Sequence, residues 1–351
     1  MFDFSISEDP SLHAFQVLSV SGGGMLGVIP AAMLTRYEEL GKVAYGTDYK
    51  LSDSFDLVGG TSTGAVIATA VALGCDAQTI TDFYLRDAPQ VMQRRWNAIP
   101  LVHDIYKGDL MEAHFSANTK GARLRPADLN CDLAITVKDM GHARPVLFSS
   151  LKPGQSDILG AEIRHDALPL DRLMRASTAA PFLFSPVDLE LSDGQTMTAV
   201  DGGMSPFNNP GLLLTRLATA ATRRKVALTA LGTGCGRPRY SREACHRGLS
   251  VLRGLRALMT NLKDAEFLTS EVLETMAETG TLSYQAHDMV LNAATFQDLG
   301  VTVSRKEMAA IRRFGDAAGK DILFEAALTH AQNTISAPLP LVRSPALAAA
   351  V

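Results

Sequence analysis

The residues best suited to catalysis lie in the segment Gly-Thr-Ser-Thr-Gly at positions 60–64, which has the form G-x-S-x-G. A short apolar run at 55–58 precedes it and a stretch rich in small residues follows it, so the pattern predicts a strand, a sharp turn and a helix. A serine on such a turn has a strained backbone, and Gly60 and Gly64 are needed because a Cβ there would clash. The start of the helix also favours the negative charge that develops during attack. We therefore predict that Ser62 is a nucleophile.

A glycine-rich loop, Ser-Gly-Gly-Gly-Met-Leu-Gly at positions 21–27, follows another apolar run at 15–20 and precedes a helical pattern. Successive glycines expose backbone N–H groups with nothing to obstruct an approaching oxyanion, as the tetrahedral intermediate of ester hydrolysis requires. The N–H groups of Gly22, Gly23 and Gly24 are therefore candidate donors of an oxyanion hole.

The same loop also satisfies the dinucleotide-binding fingerprint G-x-G-x-x-G, with Gly27 as its last glycine. That fold needs a second strand about 20 residues further on that ends in Asp or Glu. Residues 41–53 are polar and irregular, and no apolar strand precedes Asp48 or Asp53. Dinucleotide binding by the Gly22–Gly27 loop stays open as an alternative that lacks its second strand.

A carboxylate suited to act as a base follows the strand pattern at 196–200, in the segment Asp201-Gly202-Gly203. An aspartate at a strand end beside two glycines can lie in an open site and reach a serine hydroxyl. Asp-Gly is also a common turn pair, so the assignment depends on the serine, which needs a base to become nucleophilic. We predict that Asp201 is that base.

A conventional Ser-His-Asp esterase is the second alternative, because in α/β-hydrolases the serine, the acid and the histidine follow in that order. Three histidines fall after Asp201, namely His246, His287 and His330. All three lie within helical patterns and not in a glycine-flanked loop after a strand. We therefore expect each of them to be a surface or core-edge residue, and the triad stays open as an alternative.

The elements that must position these motifs alternate along the chain. Strand patterns recur at 131–137, 144–148 and 226–231 with helical patterns between them, and from Arg242 to about His330 the pattern is almost wholly helical. This order predicts a three-layer α/β domain with extra helices packed against it.

We divide the chain into an N-terminal arm at 1–13, a catalytic domain at 14–335 and a flexible tail at 336–351. Within the catalytic domain the motifs occupy 14–235, and 240–335 forms the helical C-terminal part. The tail is rich in proline and alanine, which predicts a loosely held segment.

Composition narrows the classes of function. The chain has 351 residues, is 46% hydrophobic and carries a formal net charge of −4, which gives no general attraction to nucleic acid. The four cysteines are scattered, so we expect neither a zinc site nor a disulfide framework. The first ten residues lack the pattern of a secretory signal, and the most apolar run, 64–74, is shorter than the roughly 20 residues of a membrane-spanning helix. We expect a cytoplasmic protein, or an effector secreted without a Sec signal, that meets membranes from outside.

Taken in chain order, the motifs resemble the patatin-like phospholipase family. The blocks Ala-Ser-Thr-Ala-Ala-Pro at 176–181, Asn-Asn-Pro at 208–210 and Leu-Gly-Thr-Gly at 231–234 resemble the family as well, and the match covers about residues 14–235. The glycines that support the motifs are Gly27, Gly60, Gly64, Gly202 and Gly203.

The resemblance implies an α/β/α fold with a mixed, mainly parallel sheet, and a serine lipid acyl hydrolase of phospholipase A or lysophospholipase type. Ser62 would attack the acyl carbonyl, and Asp201 would take the hydroxyl proton and later activate water. The Gly22–Gly24 loop would stabilise the oxyanion, with no metal or organic cofactor. The substrate would be a phospholipid or other glycerolipid met transiently at a membrane surface, while a homo-oligomer and an activating small molecule or partner stay open.

One position departs from the family, which usually has a basic residue, most often Arg, where this chain has Leu26. The departure leaves the preference for phospholipids open. Exposed apolar residues near the site would admit an acyl chain, and the stretch 89–115 offers Trp96, Ile99 and Leu101 as candidates. Trp96 is the only tryptophan of the chain, and packing in the core is an equal alternative for it.

Overall fold

A mixed ten-stranded sheet runs through the part of the chain that the structure describes. In this computed structural model the described residues are 14–93, 95–96, 103–235, 242, 246, 250–311 and 319–342. The strands are β1 Phe15–Val20, β2 Leu57–Thr61, β3 Asp132–Asp139, β4 Arg144–Ser149, β5 Asp157–Ile158, β6 Ala161–Arg164, β7 Val187–Glu190, β8 Thr196–Asp201, β9 Val226–Leu231 and β10 Leu282–His287. They lie in the order β10-β9-β1-β2-β3-β4-β6-β5, and β8 pairs with both β3 and β7.

The helices in the described ranges follow the strands on both sides of the sheet. They are α1 Val28–Tyr45, α2 Thr63–Ala72, α3 Ala77–Asp82, α4 Ala88–Val91, α5 Gly108–Thr119, α6 Leu170–Ser177, α7 Gly211–Thr222, α8 Ser250–Glu278, α9 Ala293–Asp298, α10 Arg305–Ile311 and α11 Lys320–Thr334. A π-helical segment, Phe83–Asp87, joins α3 to α4, and the glycine loop ends in a short 3-10 helix, Gly24–Gly27.

Neighbouring residues of the central strands face two different apolar cores. Val17 of β1 and Leu57 of β2 belong to a core formed with α7 and α8. Leu18 and Val58, the next residues along, belong to a larger core formed with α1, α2, α6 and α11. Because side chains alternate along a strand, each strand can bury both faces under helices. This confirms the predicted three-layer α/β/α fold with a mixed, mainly parallel sheet.

The parallel strands bring the motifs to one edge of the sheet. β1 runs parallel to both of its neighbours, β2 and β9. The carboxyl ends of parallel strands lie at the same edge, which is where ligands bind in α/β sheets. The glycine loop after β1, Ser62 after β2 and the segment 232–234 after β9 therefore meet there.

Strand β3 brings the remaining motif to the same place. Its first part pairs in parallel with β2, and its last part pairs antiparallel with β8. Thr61, the last residue of β2, lies opposite Thr136, and Asp201, the last residue of β8, lies opposite Val137. Two consecutive residues of β3 thus hold the ends of β2 and β8 against each other.

The chain beyond residue 240 is not wholly helical, and on this point the prediction is wrong. β10 pairs in parallel with β9 at the edge of the sheet. Only its two ends, Leu282 and His287, are buried. An edge strand has no need of a continuous apolar run, and so the periodicity of the sequence does not reveal it.

The predicted flexible tail is also partly wrong. Leu339 is buried, the hydroxyl of Tyr45 donates to its carbonyl at 2.9 Å, and the N–H of Val342 donates to the carbonyl of Asp53 at 2.8 Å. Residues 336–342 therefore pack on the domain, because one apolar side chain and two backbone groups find partners there.

Three further expectations concern the arm, the apolar stretch and membrane insertion. Residues 1–13, Ile99 and Leu101 lie outside the described residues. Trp96 is described and is 95% exposed, so its packing in the core is excluded. Within the described ranges, no helix combines the length and apolarity needed to cross a bilayer.

Candidate active site

Ser62 lies on a sharp turn between β2 and α2. Its backbone angles are φ 55° and ψ −121°, a region that costs a non-glycine residue about 1–2 kcal/mol. The turn is tight because a Cβ on Gly60 would lie 2.1 Å from the carbonyl oxygen of Gly64, and one on Gly64 would lie 2.1 Å from that of Val20. Both flanking glycines are therefore required by close backbone approach, as predicted from the G-x-S-x-G segment.

The hydroxyl of Ser62 donates a hydrogen bond to the carboxylate of Asp201. The distance from Oγ to Oδ2 is 2.7 Å, and both side chains are buried. The other carboxylate oxygen, Oδ1, accepts the N–H of Gly203 at 2.7 Å. Burial raises the pKa of Asp201 from 3.8 to about 6, against the two hydrogen bonds, which lower it. A carboxylate with this pKa is a stronger base than an exposed one and is still ionised at neutral pH.

Ser177, at the end of α6, holds the turn that carries the serine. Its Oγ accepts the backbone N–H of Ser62 at 2.9 Å and donates to the carbonyl of Thr136 at 2.8 Å. The backbone N–H of Asp201 donates to the carbonyl of Ala179 at 3.0 Å, two residues beyond Ser177. The end of α6 and the residues just after it therefore fix the backbone of both Ser62 and Asp201.

Two side chains from outside the glycine loop donate hydrogen bonds to its backbone. The carbonyl of Gly22 accepts the hydroxyl of Thr233 at 2.7 Å and the side-chain amide of Asn208 at 3.2 Å. The same Asn208 amide donates to Glu266 of α8, so the long C-terminal helix is connected to the loop. A Cβ on Gly23 would lie 2.3 Å from Thr233 Oγ1, which explains the second glycine.

The amides of the loop have different partners. The N–H of Gly22 donates to the carbonyl of Asn208 at 3.0 Å and is therefore engaged. The N–H groups of Gly23 and Gly24 donate to no acceptor among the described residues. Gly24, with φ 57°, lines the same cavity as Ser62. Of the three glycines predicted for an oxyanion hole, Gly24 is thus the one that combines an amide without an acceptor among the described residues with a place at the cavity wall.

The other glycines of the motifs also stand where backbone or side chains come close. A Cβ on Gly27 would lie 2.4 Å from the Tyr84 ring, one on Gly202 would lie 2.5 Å from the carbonyl oxygen of Thr136, and one on Gly203 would lie 2.6 Å from Asn208 Oδ1. Each of the three lets a neighbouring element approach the site more closely than any other residue would allow.

An apolar cavity opens beside Ser62 and Asp201. It contains about 500 Å³ of empty space, its mouth included. Its walls come from the glycine loop, α2, the π-helical segment, α5 and the chain after α6, and they include Met25, Val66, Met92, Met111, Phe115 and Phe184. Methionines adapt their shape to a ligand because their side chains are unbranched and flexible. The wall beside Ser62 is therefore apolar and adaptable, which suits a hydrocarbon ligand.

Leu26 lies in the 3-10 helix of the glycine loop and is half-buried against the larger apolar core. It is absent from the walls of the cavity. Its role in this chain is packing, and the described wall of the cavity carries no basic side chain in its place.

The three histidines considered for a triad lie elsewhere. His287 ends β10, a strand where a helix was predicted, and its Nε2 lies 2.7 Å from the hydroxyl of Tyr37. His330 Nε2 lies 3.1 Å from the carbonyl oxygen of Asp288, and His246 is helical and exposed. Within the described ranges no histidine bonds to Ser62 or Asp201. The geometry does not favour a triad.

The dinucleotide alternative also lacks support in the fold. The helix after the glycine loop, α1, is followed by β2, which ends at Thr61 just before Ser62 and not in a carboxylate. A ribose-binding acid at the end of the second strand is a defining part of that site. The described residues also hold no group of three or more His, Cys, Asp or Glu side chains suited to a metal ion.

The roles of Ser177, Asn208, Thr233 and Glu266 were missed in the sequence. The first three stand in the blocks 176–181, 208–210 and 231–234. These blocks contribute to the family resemblance of the sequence, but the resemblance assigns no role to their side chains. Glu266 lies in the helical C-terminal part and has no sequence signal of its own.

The chain is similar in sequence to known proteins. A family model described as patatin-like phospholipase matches residues 18–214. The chain is 27% identical to Patatin-T5 of Solanum tuberosum in an alignment 243 positions long, which covers 62% of this chain and 60% of that protein. It is 26% identical to Patatin-2-Kuras 2 of the same plant in an alignment 323 positions long, which covers 83% of this chain and 78% of that protein. In the first matches the chain thus spans about 60% of its relatives' length.

Two solved structures are similar over most of the chain. VipD from Legionella pneumophila is 12% identical, with a TM-score of 0.38, over 91% of this chain and 69% of that one. The type III effector protein ExoU is 14% identical, with a TM-score of 0.33, over 90% of this chain and 53% of that one. Because the family model spans more than half of the residues and includes the glycine loop, Ser62 and Asp201, this chain belongs to the patatin-like phospholipase family.

Proposed function

We propose that this protein is a serine lipid acyl hydrolase of phospholipase A or lysophospholipase type, which cleaves acyl esters of glycerolipids through Ser62 and Asp201. The observation that carries the proposal is the 2.7 Å hydrogen bond from Ser62 Oγ to Asp201 Oδ2, buried at the wall of an apolar cavity. A nucleophile, its base and a hydrocarbon site are the parts that acyl transfer from a lipid requires.

In the first half-reaction, Ser62 Oγ attacks the acyl carbonyl carbon while Asp201 Oδ2 takes the hydroxyl proton. The carbonyl oxygen becomes an oxyanion, and the N–H groups of Gly23 and Gly24 donate to it. When the tetrahedral intermediate collapses, the bond to the alcohol oxygen breaks. Asp201 then returns the proton to that oxygen, so the lyso product or glycerol leaves neutral and the acyl group stays on Ser62.

In the second half-reaction, water takes the place of the alcohol. Asp201 accepts a proton from the water as it attacks the acyl-enzyme carbonyl, and the same two amides stabilise the second oxyanion. Collapse breaks the bond to Ser62 Oγ, which recovers its proton from Asp201. The fatty acid leaves, and apart from the lipid and water every step uses only groups of this chain.

The test is release of free fatty acid from vesicles of mixed phosphatidylcholine, lysophosphatidylcholine and monoacylglycerol. Ser62→Ala and Asp201→Asn should each lose activity by at least about 1,000-fold with the fold retained, since each removes half of the reacting pair. The matched control is Ser52→Ala. Ser52 is also a buried serine, and its Oγ has no hydrogen-bond partner, so this variant should keep full activity.

Activity that survives Ser62→Ala would overturn the proposal. The lipid that the wild type prefers would also show whether an enzyme with Leu26 in the glycine loop still favours phospholipids.

A further inference from the structure

Three segments of chain lie side by side at the mouth of the cavity. The N–H of Arg95 donates to the carbonyl of Ile105 at 2.8 Å, and the N–H of Ile105 donates to that of Phe182 at 3.1 Å. The N–H of Tyr106 donates to Leu183 at 2.9 Å in the same manner. We call residues 93, 95–96, 105–107 and 182–183 the rim.

The rim borders the cavity directly. Leu183 lines the cavity, as do Met92, just before the rim begins, and Ala180 and Phe184, on either side of its last segment. Ser62 and Asp201 line the same cavity. The rim thus adjoins the wall that also contains Ser62 and Asp201.

Two large aromatic side chains of the rim face solvent. Trp96 is 95% exposed and Phe182 is 42% exposed. Their segments are separated only by the strand-like residues around Ile105, so both belong to one surface. Leu110, the third residue of α5, is 36% exposed as well. Exposed apolar groups that gather at a cavity mouth mark a surface that contacts another apolar phase.

The backbone of Phe182 is held in an unfavourable conformation. Its φ is +69°, in the left-handed region that a bulky residue rarely adopts. Its carbonyl is tied to Ile105, and the N–H of the next residue, Leu183, donates to the carbonyl of Ala180 at 3.0 Å. The loop thus maintains a strained backbone that presents an aromatic ring to solvent, which is the reverse of what stability alone favours.

We propose that the rim docks on the surface of a phospholipid bilayer, with Trp96 and Phe182 inserted at the level of the headgroups. This proposal rests on the function proposed above and adds the surface by which the enzyme meets its substrate. An acyl chain would then move from the bilayer into the cavity without crossing water.

The chemistry of the rim suits a bilayer. Tryptophan concentrates at membrane interfaces because its ring is apolar and its N–H needs a polar partner. The charged side chains within the rim are Arg95, whose Nε donates to the carbonyl of Tyr106 at 3.4 Å, and the exposed Lys107, and Asp104 and Asp109 flank the middle segment. Long basic side chains beside inserted aromatic rings reach lipid phosphates while their stems stay in the apolar layer.

The chain carries its own probe, because Trp96 is its only tryptophan. The experiment titrates the protein with vesicles of ether-linked phosphatidylcholine, which has no ester to cleave. Binding therefore does not depend on Ser62. We expect the emission of Trp96 to shift to shorter wavelength and to be quenched by brominated lipid. Hydrolysis of a soluble short-chain ester by wild type and Ser62→Ala tests the proposed function separately.

Phe182→Asn should weaken the apparent affinity for these vesicles about tenfold, because one aromatic ring is lost from the interface and asparagine tolerates positive φ. The matched control is Leu159→Asn. Leu159 is also 42% exposed with positive φ, at 53°, but it lies in the turn between β5 and β6 at the far edge of the sheet. This control should leave vesicle binding unchanged.

Flotation of Trp96→Ala with the same vesicles gives an independent measurement, and it should show a loss at least as large as that of Phe182→Asn. A Trp96 spectrum unmoved by saturating vesicles would overturn the proposal and assign the rim to a protein partner. Equal loss of binding in the Leu159 and Phe182 variants would overturn it as well, since binding would then not depend on the rim.

Discussion

Thr61 and Asp201 lie side by side along one edge of β3, opposite the consecutive residues Thr136 and Val137. β2 and β8 run toward each other along this edge, one parallel and one antiparallel to β3, and each ends where the other does. Ser62 is the next residue after Thr61, so the register of β3 places its hydroxyl at the carboxylate of Asp201. The contact between Ser62 and Asp201 is therefore a consequence of sheet pairing, and a shift of one residue in either strand would separate the two side chains.

The first prediction concerns the pH dependence of hydrolysis. Burial raises the pKa of Asp201 to about 6, and only its ionised form accepts the proton of Ser62. The value of kcat/KM for a soluble ester should be level near neutral pH and fall about tenfold per pH unit below about pH 6. Initial rates between about pH 4 and pH 8 measure it.

A second buried carboxylate provides the control for this profile. The pKa of Asp288 is also raised to about 6 by burial, but its Oδ1 accepts the N–H groups of Gly234 and Met289, away from Ser62. The fall of kcat/KM below about pH 6 should persist in Asp288→Asn. If it disappears in this variant, the protonation of Asp288, and not that of Asp201, controls the rate.

The second prediction concerns stability. Asp201 binds a proton more tightly in the folded state than in the unfolded state, where its pKa is near 3.8. Its contribution to the free energy of unfolding therefore falls as pH rises from about 4 to about 6. At pH 7 the carboxyl is ionised in both states, and the folded state bears the full free-energy cost of the buried charge. Asp201→Asn removes the buried charge and should raise the free energy of unfolding at pH 7 by on the order of 1–3 kcal/mol.

Denaturant unfolding of wild type and Asp201→Asn at pH 7 and at about pH 4 measures this difference. The gain should shrink at the lower pH, because the wild-type carboxyl is then protonated. An equal difference at both pH values would show that the charge of Asp201 is not its cause.

The third prediction concerns Ser177. Its hydroxyl is the acceptor for the N–H of Ser62, so Ser177→Ala frees the turn that aims the nucleophile. We expect kcat to fall about 10- to 100-fold while KM changes little, because a positioning residue acts on the reacting geometry and not on lipid binding. Steady-state kinetics on a soluble ester measure both constants. A loss of kcat that appears only at temperatures where the variant also begins to unfold would indicate general unfolding instead.

The fourth prediction concerns Thr233. Thr233→Val keeps the shape of the side chain but removes the hydroxyl that donates to the carbonyl of Gly22. The amides of Gly23 and Gly24 should then be less well aimed at an oxyanion, and kcat should fall about tenfold. Thr233→Ser restores the hydroxyl and should restore most of the rate. Full activity of the valine variant would mean that Asn208 alone is enough to hold the loop.

The sequence by itself determines which candidate chemical groups this protein carries, because its motifs are local. The G-x-S-x-G segment, the glycine loop and the Asp-Gly-Gly segment each depend on residues within a few positions, where strand, turn and helix preferences act directly. Strands β1, β2, β3, β4, β8 and β9 could be predicted for the same reason, since each is an apolar run with a clear end. β10 could not, because an edge strand buries only part of its length.

Tertiary structure decided everything that depends on residues far apart in the chain. Ser62 and Asp201 are 139 residues apart, and their hydrogen bond exists only through the pairing of β3. The raised pKa of Asp201, the engagement of the Gly22 amide and the exposure of Phe182 likewise depend on which groups fold against them. Local sequence specifies which groups are present, but burial and long-range hydrogen bonds arise only when the whole chain is packed, and they decide what those groups can do.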